Sequence, residues 1–265
     1  MIYIIFIIGL IGTKIIIPYF KSLLIESNIT KKNYLGKEIP VSMGIVFLPF
    51  LVINSIILRY YIENNIIYSY LFGAIAMGFV GIIDDLIGTR DVTGLKGHIK
   101  SLIKGKLTTG GFKALFGGFV ALCISVGISK NIQDIIINTM MIALFTNLLN
   151  LLDLRPGRSI KGYLFISVLF FLSVNSYEKI LIALLTANVI AYFKEDIKAL
   201  SMMGDAGSNI LGVWLGIISA NSFNIYTRIA ILIGLILIHI ITEKYSLTKI
   251  IENNKFLNYI DKLGR

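Results

Sequence analysis

Hydrophobic residues run through this chain in long blocks broken by short polar stretches. Nine blocks stand out, at residues 2–23, 42–62, 66–83, 112–129, 134–152, 160–176, 179–193, 208–224 and 227–243. A helix that crosses a hydrocarbon core needs about 20 residues, or somewhat fewer if short. A helix also satisfies its own backbone polar groups, as lipid requires. The pattern predicts an all-α polytopic integral membrane protein with nine transmembrane helices. The sixth and seventh are separated by a tight turn at Tyr177 and Glu178. Residues 1–243 form the membrane domain, and residues 244–265 change character. There Leu247, Ile250, Ile251, Phe256, Leu257 and Ile260 are spaced among charged residues, which predicts an amphipathic tail lying on the membrane surface.

Composition agrees with this reading. The chain has 265 residues and 56% of them are hydrophobic, against roughly 45–50% for a soluble domain. No stretch is left over for a separate soluble domain. Met1 to Pro18 has neither a positive leading region nor a small-residue cleavage site, so it reads as a retained first span. Cys123 is the single cysteine, which excludes an internal disulfide and a cysteine-based metal site.

The net charge of +10 is sorted by loop, so it is a topology signal and not a nucleic-acid one. One set of alternate loops carries Lys21, Lys31, Lys32 and Lys37, then Arg90, Lys96, Lys100, Lys104, Lys106 and Lys113. The same set continues with Arg155, Arg158 and Lys161, with Lys194 and Lys198, and with the basic tail. The other set holds only Arg59, Lys130, Lys179 and Arg228. Basic loops stay in the cytoplasm. The expected orientation puts the N-terminus outside and the C-terminus inside a plasma membrane.

Four acidic residues sit at the ends of these blocks. Asp84 and Asp85 close one, Asp153 closes another, and Asp205 opens a third. All four fall on the expected cytoplasmic face. A carboxylate at the end of a membrane span is expensive to bury and points to function. Several on one face repel each other unless a divalent cation or a cationic ligand lies between them. That favours metal-assisted chemistry on a phosphate-bearing substrate at the membrane surface. Asn147, Asn150 and Asp153 recur every three residues and share one helix face.

Simpler roles compete with these. Asp84-Asp85 can be a polar helix end, and Asn147 and Asn150 can be glue between helices. Most lysines from Lys96 to Lys113 read better as topology or lipid-headgroup residues. His98 reads as a surface residue and His239 as a packing one. Gly105-Lys106-Leu107 lacks the Ser or Thr and the preceding strand of a nucleotide-binding loop.

Four segments together resemble the polyprenyl-phosphate N-acetylhexosamine-1-phosphate transferases, the family of the MraY, WecA and TagO enzymes. They are Gly36-Lys37-Glu38-Ile39-Pro40-Val41-Ser42-Met43-Gly44, and Gly81-Ile82-Ile83-Asp84-Asp85 with the downstream Gly94-Leu95-Lys96-Gly97-His98-Ile99-Lys100. Asn147-Leu148-Leu149-Asn150-Leu151-Leu152-Asp153 follows, then Met203-Gly204-Asp205-Ala206-Gly207-Ser208. Their order and loop placement match the family from about residue 14 to 243.

The resemblance implies a Mg²⁺-dependent enzyme whose active site faces the cytoplasm. Its substrates would be a UDP-amino sugar and a polyprenyl phosphate, and its product a lipid-diphosphate-sugar for cell-wall or envelope polysaccharide. It assigns Mg²⁺ to Asp205 and catalytic roles to Asp84, Asp85 and Asp153, with Asp84 as base or nucleophile. Substrate contacts fall to Lys37, Lys96, Lys100, Asn147, Asn150, Gly207 and Ser208. Ser208 and the following amides would start a span whose N-terminus favours anions. A homodimer is a further expectation.

Two departures stand out. The family usually has Asp-Gly-x-Asp-Gly where this chain has Asp153-Leu154-Arg155-Pro156-Gly157-Arg158. The family's late histidine-bearing loop is also absent, because Glu243 to Arg265 contains no histidine. Arg155 and Arg158 are therefore either diphosphate clamps in place of those histidines or, equally, positive-inside residues that are solvated or bound to lipid headgroups. A non-catalytic relative that binds lipid phosphate or nucleotide-sugar is the first competing reading. A transporter is the second, but the acids cluster at one end and the halves of the chain do not match.

Overall fold

A computed structural model of the chain describes residues 1–88, 97, 101 and 105–265. Its helices are α1 (Ile2–Glu26), α2 (Phe47–Tyr61), α3 (Ile66–Ile87), α4 (Thr109–Ile128), α5 (Ile132–Leu152), α6 (Arg158–Ser173), α7 (Ser176–Ile197), α8 (Gly204–Ser222) and α9 (Ile225–Lys244). Two short helices end the chain, α10 (Leu247–Asn253) and α11 (Lys255–Lys262). Each of the nine long helices takes up one hydrophobic block. Among the described residues, six segments are long and apolar enough to cross a membrane: α1, α2 with the 3₁₀ turn before it, α3, α4, α5 and α9. The protein is a polytopic, helical membrane protein.

Helix α8 is the centre of the bundle. Gly204 and every residue from Ala206 to Ala220 are buried. Because protein surrounds it, α8 can carry Ser208, Asn209 and Ser219 where a lipid-facing helix would not. It packs mainly against α3 and α5. Small residues allow the close approach. A Cβ on Gly212 would lie 2.3 Å from Thr146 Cα, and one on Gly81 would lie 2.3 Å from the Asp205 carbonyl oxygen. Trp214 anchors the far half, donating to the Leu181 carbonyl at 3.0 Å and lying 4.8 Å from the Tyr70 ring.

Several sequence boundaries shift. α3 runs on to Ile87, so Asp84 and Asp85 lie in its last turn. α8 starts at Gly204, where φ is +71°, and Asp205 is therefore inside its first turn. The turn between α6 and α7 falls at Val174 and Asn175, while Tyr177 and Glu178 belong to α7. Extended Asn175 starts that helix, and Glu178 in its first turn suits the positive end of the helix dipole.

A two-stranded hairpin interrupts the all-α expectation. β1 (Thr30–Lys32) pairs antiparallel with β2 (Glu38–Pro40), with Lys31 opposite Ile39. The Asn33 side chain closes the loop by accepting from the amides of Leu35 and Lys37 at 2.9 and 3.0 Å. Strands of three residues, one of them mostly lysine, leave no alternating hydrophobic signal to read. Beyond the hairpin the chain zips onto the approach to α8. Met202 N–H donates to Pro40 O at 2.8 Å, Met43 N–H to Met202 O at 3.0 Å and Gly44 N–H to Met203 O at 2.8 Å.

The tail docks on the loop before α6. Arg158, 5% exposed, donates from Nε and Nη2 to the two oxygens of Asp261, 6% exposed, at 2.8 and 2.9 Å. Its Nη1 reaches Thr248 Oγ1 at 3.0 Å. Arg265 donates to Pro156 O and to Asp261, each at 2.8 Å. Lys161 donates to the carbonyls of Ile260 and Asp261. Asp261 thus faces the protein, while Phe256, Tyr259 and Leu263 are exposed on the other side of α11.

Two tests follow from this packing. A Cβ on Gly44 would lie 2.1 Å from Gly207 Cα, which is backbone and cannot yield, whereas one on Gly118 meets nothing within 4 Å. Gly44→Ala is expected to cost about 1–3 kcal/mol or more, and Gly118→Ala to stabilise by about 0.5–1 kcal/mol. Melting temperatures in detergent that failed to rank Gly118→Ala above Gly44→Ala would refute the close contact.

The second test concerns the tail. Burial alone would raise the Asp261 carboxyl, but the hydrogen bonds and charges of Arg158 and then Arg265 hold it below its ordinary value. Such a carboxylate contributes stability above its unfolded pKa of about 3.9 and loses it as pH falls through the lower folded value. Limited proteolysis is expected to find the tail protected at neutral pH, to show protection starting to fall below about pH 4, and to find the tail released only once pH has passed the lower folded value. Asp261→Asn is expected to weaken docking at neutral pH by up to about 3–5 kcal/mol. Unchanged protection in that variant would mean that the clasp does not hold the tail.

Candidate functional site

The site is built at the N-terminus of α8. A buried helix start leaves backbone N–H groups that need acceptors. Here the acceptor comes from another helix. The Asp85 carboxylate accepts from Asp205 N–H at 3.0 Å and from Ala206 N–H at 3.3 Å. Ser42 Oγ donates to it at 2.7 Å. Lys31 Nζ donates to the Asp85 carbonyl at 2.6 Å, neutralising the negative end of α3. Asp85 is 8% exposed and is committed to joining α3, the 40–44 segment and α8. The helix start expected at Ser208 lies one turn earlier, at Gly204, where Asp85 caps it.

Asp84 points elsewhere. Its Oδ2 lies 3.6 Å from Lys113 Nζ, and the same ammonium donates to Asp205 Oδ2. Asn150, with its carboxamide nitrogen facing Asp205, donates to Asp205 Oδ1 at 2.6 Å and to Ser208 Oγ at 3.2 Å. Its oxygen accepts from Lys113 Nζ at 2.7 Å. Side chains from α3, α5 and α8 therefore converge on one cation supplied by α4. The cluster remains open to a ligand, since the side chains of Asp84, Asp205 and Lys113 keep 20%, 24% and 13% of their exposure.

Asp153 ends α5 beside this cluster. Burial raises its carboxyl well above the ordinary range, and the charges of Asp196, Asp205 and Asp85 push it further up against the pull of Lys113. Asp153 is therefore a carboxyl that tends to hold its proton, in a site rich in negative charge. Asp196, 4% exposed, accepts from Gly157 N–H at 2.7 Å and from Met203 N–H. It ties the loop after Asp153 to the approach to α8.

Of the residues named from sequence, Asp84, Asp205, Asn150 and Ser208 are in direct contact or share Lys113, with Asp85 behind them and Asp153 alongside. Gly207 packs against Gly44 and Met203, so its role is close approach. Asn147 is exposed on α5, one turn from Asn150, and Lys37 is exposed in the hairpin. Lys96 and Lys100 lie outside the described residues.

The arginine expectation needs correction. Arg158 is buried against Asp261, and Arg155 lies 3.8 Å from Glu252. Both guanidiniums face the tail, because the tail supplies the acids that this loop lacks. Sequence reasoning missed Lys113, Ser42, Lys31 and Asp196. Lys113 had one usable signal, as the only charged residue in the block from 112 to 129.

Comparison with known proteins adds no assignment: no family model matches the chain, and no curated protein matches it. The residues themselves can be tested against a divalent cation. Among the described residues, no three His, Cys, Asp or Glu side chains form a ready metal cage. Mg²⁺ does not need one, since it binds through one or two carboxylates with substrate phosphates and water. Asp84, Asp205 and Asn150 offer such an all-oxygen set around the Lys113 ammonium.

The adjacent aspartates have separable roles. Asp85→Ala strands two amides and a hydroxyl and is expected to cost about 1.5–3 kcal/mol of stability. Asp84→Ala leaves those partners intact and is expected to melt within about 1 kcal/mol of wild type. Equal destabilisation by the two would show that Asp85 is not the residue that caps α8.

Proposed function

We propose that the protein transfers an N-acetylhexosamine-1-phosphate from a UDP-sugar to a polyprenyl phosphate. An oxygen of the lipid phosphate attacks the β-phosphorus of the UDP-sugar. The bond from that phosphorus to the bridging oxygen breaks, and UMP leaves with the oxygen and its electron pair. A lipid-diphosphate-sugar remains. The observation that carries this reading is the convergence of Asp84, Asp205 and Asn150, from three resembling segments, on one cation-sized position.

Asp205 would hold Mg²⁺, which when bound neutralises charge growing on the diphosphate. Asp84 would orient the lipid phosphate or hold its proton, and Lys113 would supply a positive charge to phosphate oxygens. Burial and the neighbouring acids raise the Asp153 carboxyl, which favours its neutral form beside an incoming diphosphate. The site faces the cytoplasm in this reading, with the basic hairpin and tail on the same side and the N-terminus outside.

A non-catalytic relative is the second reading. Lys113 favours it, because an ammonium already balances both carboxylates. One experiment separates the two. Detergent-purified protein is mixed with undecaprenyl phosphate and a panel of UDP-sugars, and UMP is measured. Release is expected with one or more sugars, to stop with chelator, and to fall to background in Asp205→Asn at an unchanged melting temperature. Nucleotide-sugar binding without UMP from any donor would establish the non-catalytic reading. Near wild-type release from Asp205→Asn would remove that residue from the site.

A further inference from the structure

Lys113 occupies an unusual place for a lysine. It lies in the second turn of α4, whose N-cap is Thr108. A cation near a helix N-terminus gains nothing from the helix dipole, which favours anions there. Its position is explained instead by what it touches: Asp84, Asp205 and the Asn150 oxygen. Two carboxylates this close, partly buried, cannot both stay ionised without a positive charge between them.

The helix that carries Lys113 lies toward the outside of the bundle at this end. None of residues 109–119 is buried, and the buried residues of α4 begin at Val120. Gly110 and Gly111 precede the lysine. The ammonium itself ends a flexible four-carbon stem. It can therefore leave its partners without disturbing the core around α8.

We infer that Lys113 is a resident counter-ion that holds Asp84 and Asp205 together in the ligand-free protein and competes with a divalent cation for them. The inference rests on the metal-binding part of the function proposed above. It adds that the cation site is filled by the protein until a ligand displaces the lysine. A free divalent cation then binds weakly. A cation arriving with a diphosphate binds better, because the displaced ammonium can follow the phosphates.

The test is direct binding of Mn²⁺, followed by electron paramagnetic resonance, to the full chain in detergent. Lys113→Met is expected to bind Mn²⁺ about tenfold tighter than wild type or more. Lys113→Arg keeps the charge and is expected to bind as weakly as wild type. With chelator present, Lys113→Met is expected to melt below wild type, and Mn²⁺ to restore it. If that variant folds only with metal, it is purified with Mn²⁺ and its affinity is read by chelator competition. Adding Asp205→Asn to Lys113→Met is expected to remove the gained binding.

Equal or weaker binding by Lys113→Met overturns the competition and leaves the metal reading of Asp205 standing. Binding by no variant overturns both. Gained binding that survives Asp205→Asn places the metal elsewhere and also overturns the inference.

Discussion

The start of α8 is the constraint on which the rest of the structure depends. A helix buried along almost its whole length has no water at its N-terminus to satisfy its first amides. Asp85 supplies the acceptor from α3, and Ser42 braces it. This one carboxylate fixes three things together: the end of α3, the segment after the hairpin and the first turn of α8. The glycines follow from the same demand. Gly44, Gly81 and Gly207 stand where backbones must nearly touch for Asp85 to reach the amides.

The capping of α8 also divides the work of two adjacent aspartates. Neighbouring residues on a helix point about 100° apart. Once Asp85 is turned into the protein, Asp84 must face outward, toward α4 and the open side of the bundle. There it meets Asp205, which the same cap has drawn into the first turn of α8. Two acids brought together in this way need a cation, and Lys113 provides it from the next helix. The cluster is thus a by-product of helix capping, in which a buried structural carboxylate places a more exposed one.

Much of this was legible in the sequence because lipid imposes simple rules. The nine hydrophobic blocks located the nine long helices, and the acids at their ends marked the end of the bundle where the cluster forms. What failed was finer. The periodicity of an apolar block does not say where the helix stops, so α3 outran its block and α8 began before Asp205. The hairpin at 30–40 was invisible because its strands are three residues long and one of them is mostly lysine. Lys113 looked like one more basic loop residue, because loop charge is counted without regard to which lysine faces an acid. Its partners lie on three other helices, and only packing brings them together.

The loop after Asp153 shows how the charge of a loop is balanced from elsewhere in the chain. It has Pro156 flanked by Arg155 and Arg158 and no acid of its own before α6. Two guanidiniums beside a cluster already holding Lys113 would repel its cation and any metal ion. The structure turns them away. Arg158 is buried in a two-pronged pair with Asp261, and Arg265 closes the same carboxylate from the other side. Asp196 holds Gly157, which at φ +75° starts α6 in the direction of the tail. The tail therefore does what an acid in the loop would otherwise do, balancing the arginines so that positive charge at the cluster comes from Lys113. The charge of the site is set by which basic residues are kept out of it as much as by which are let in.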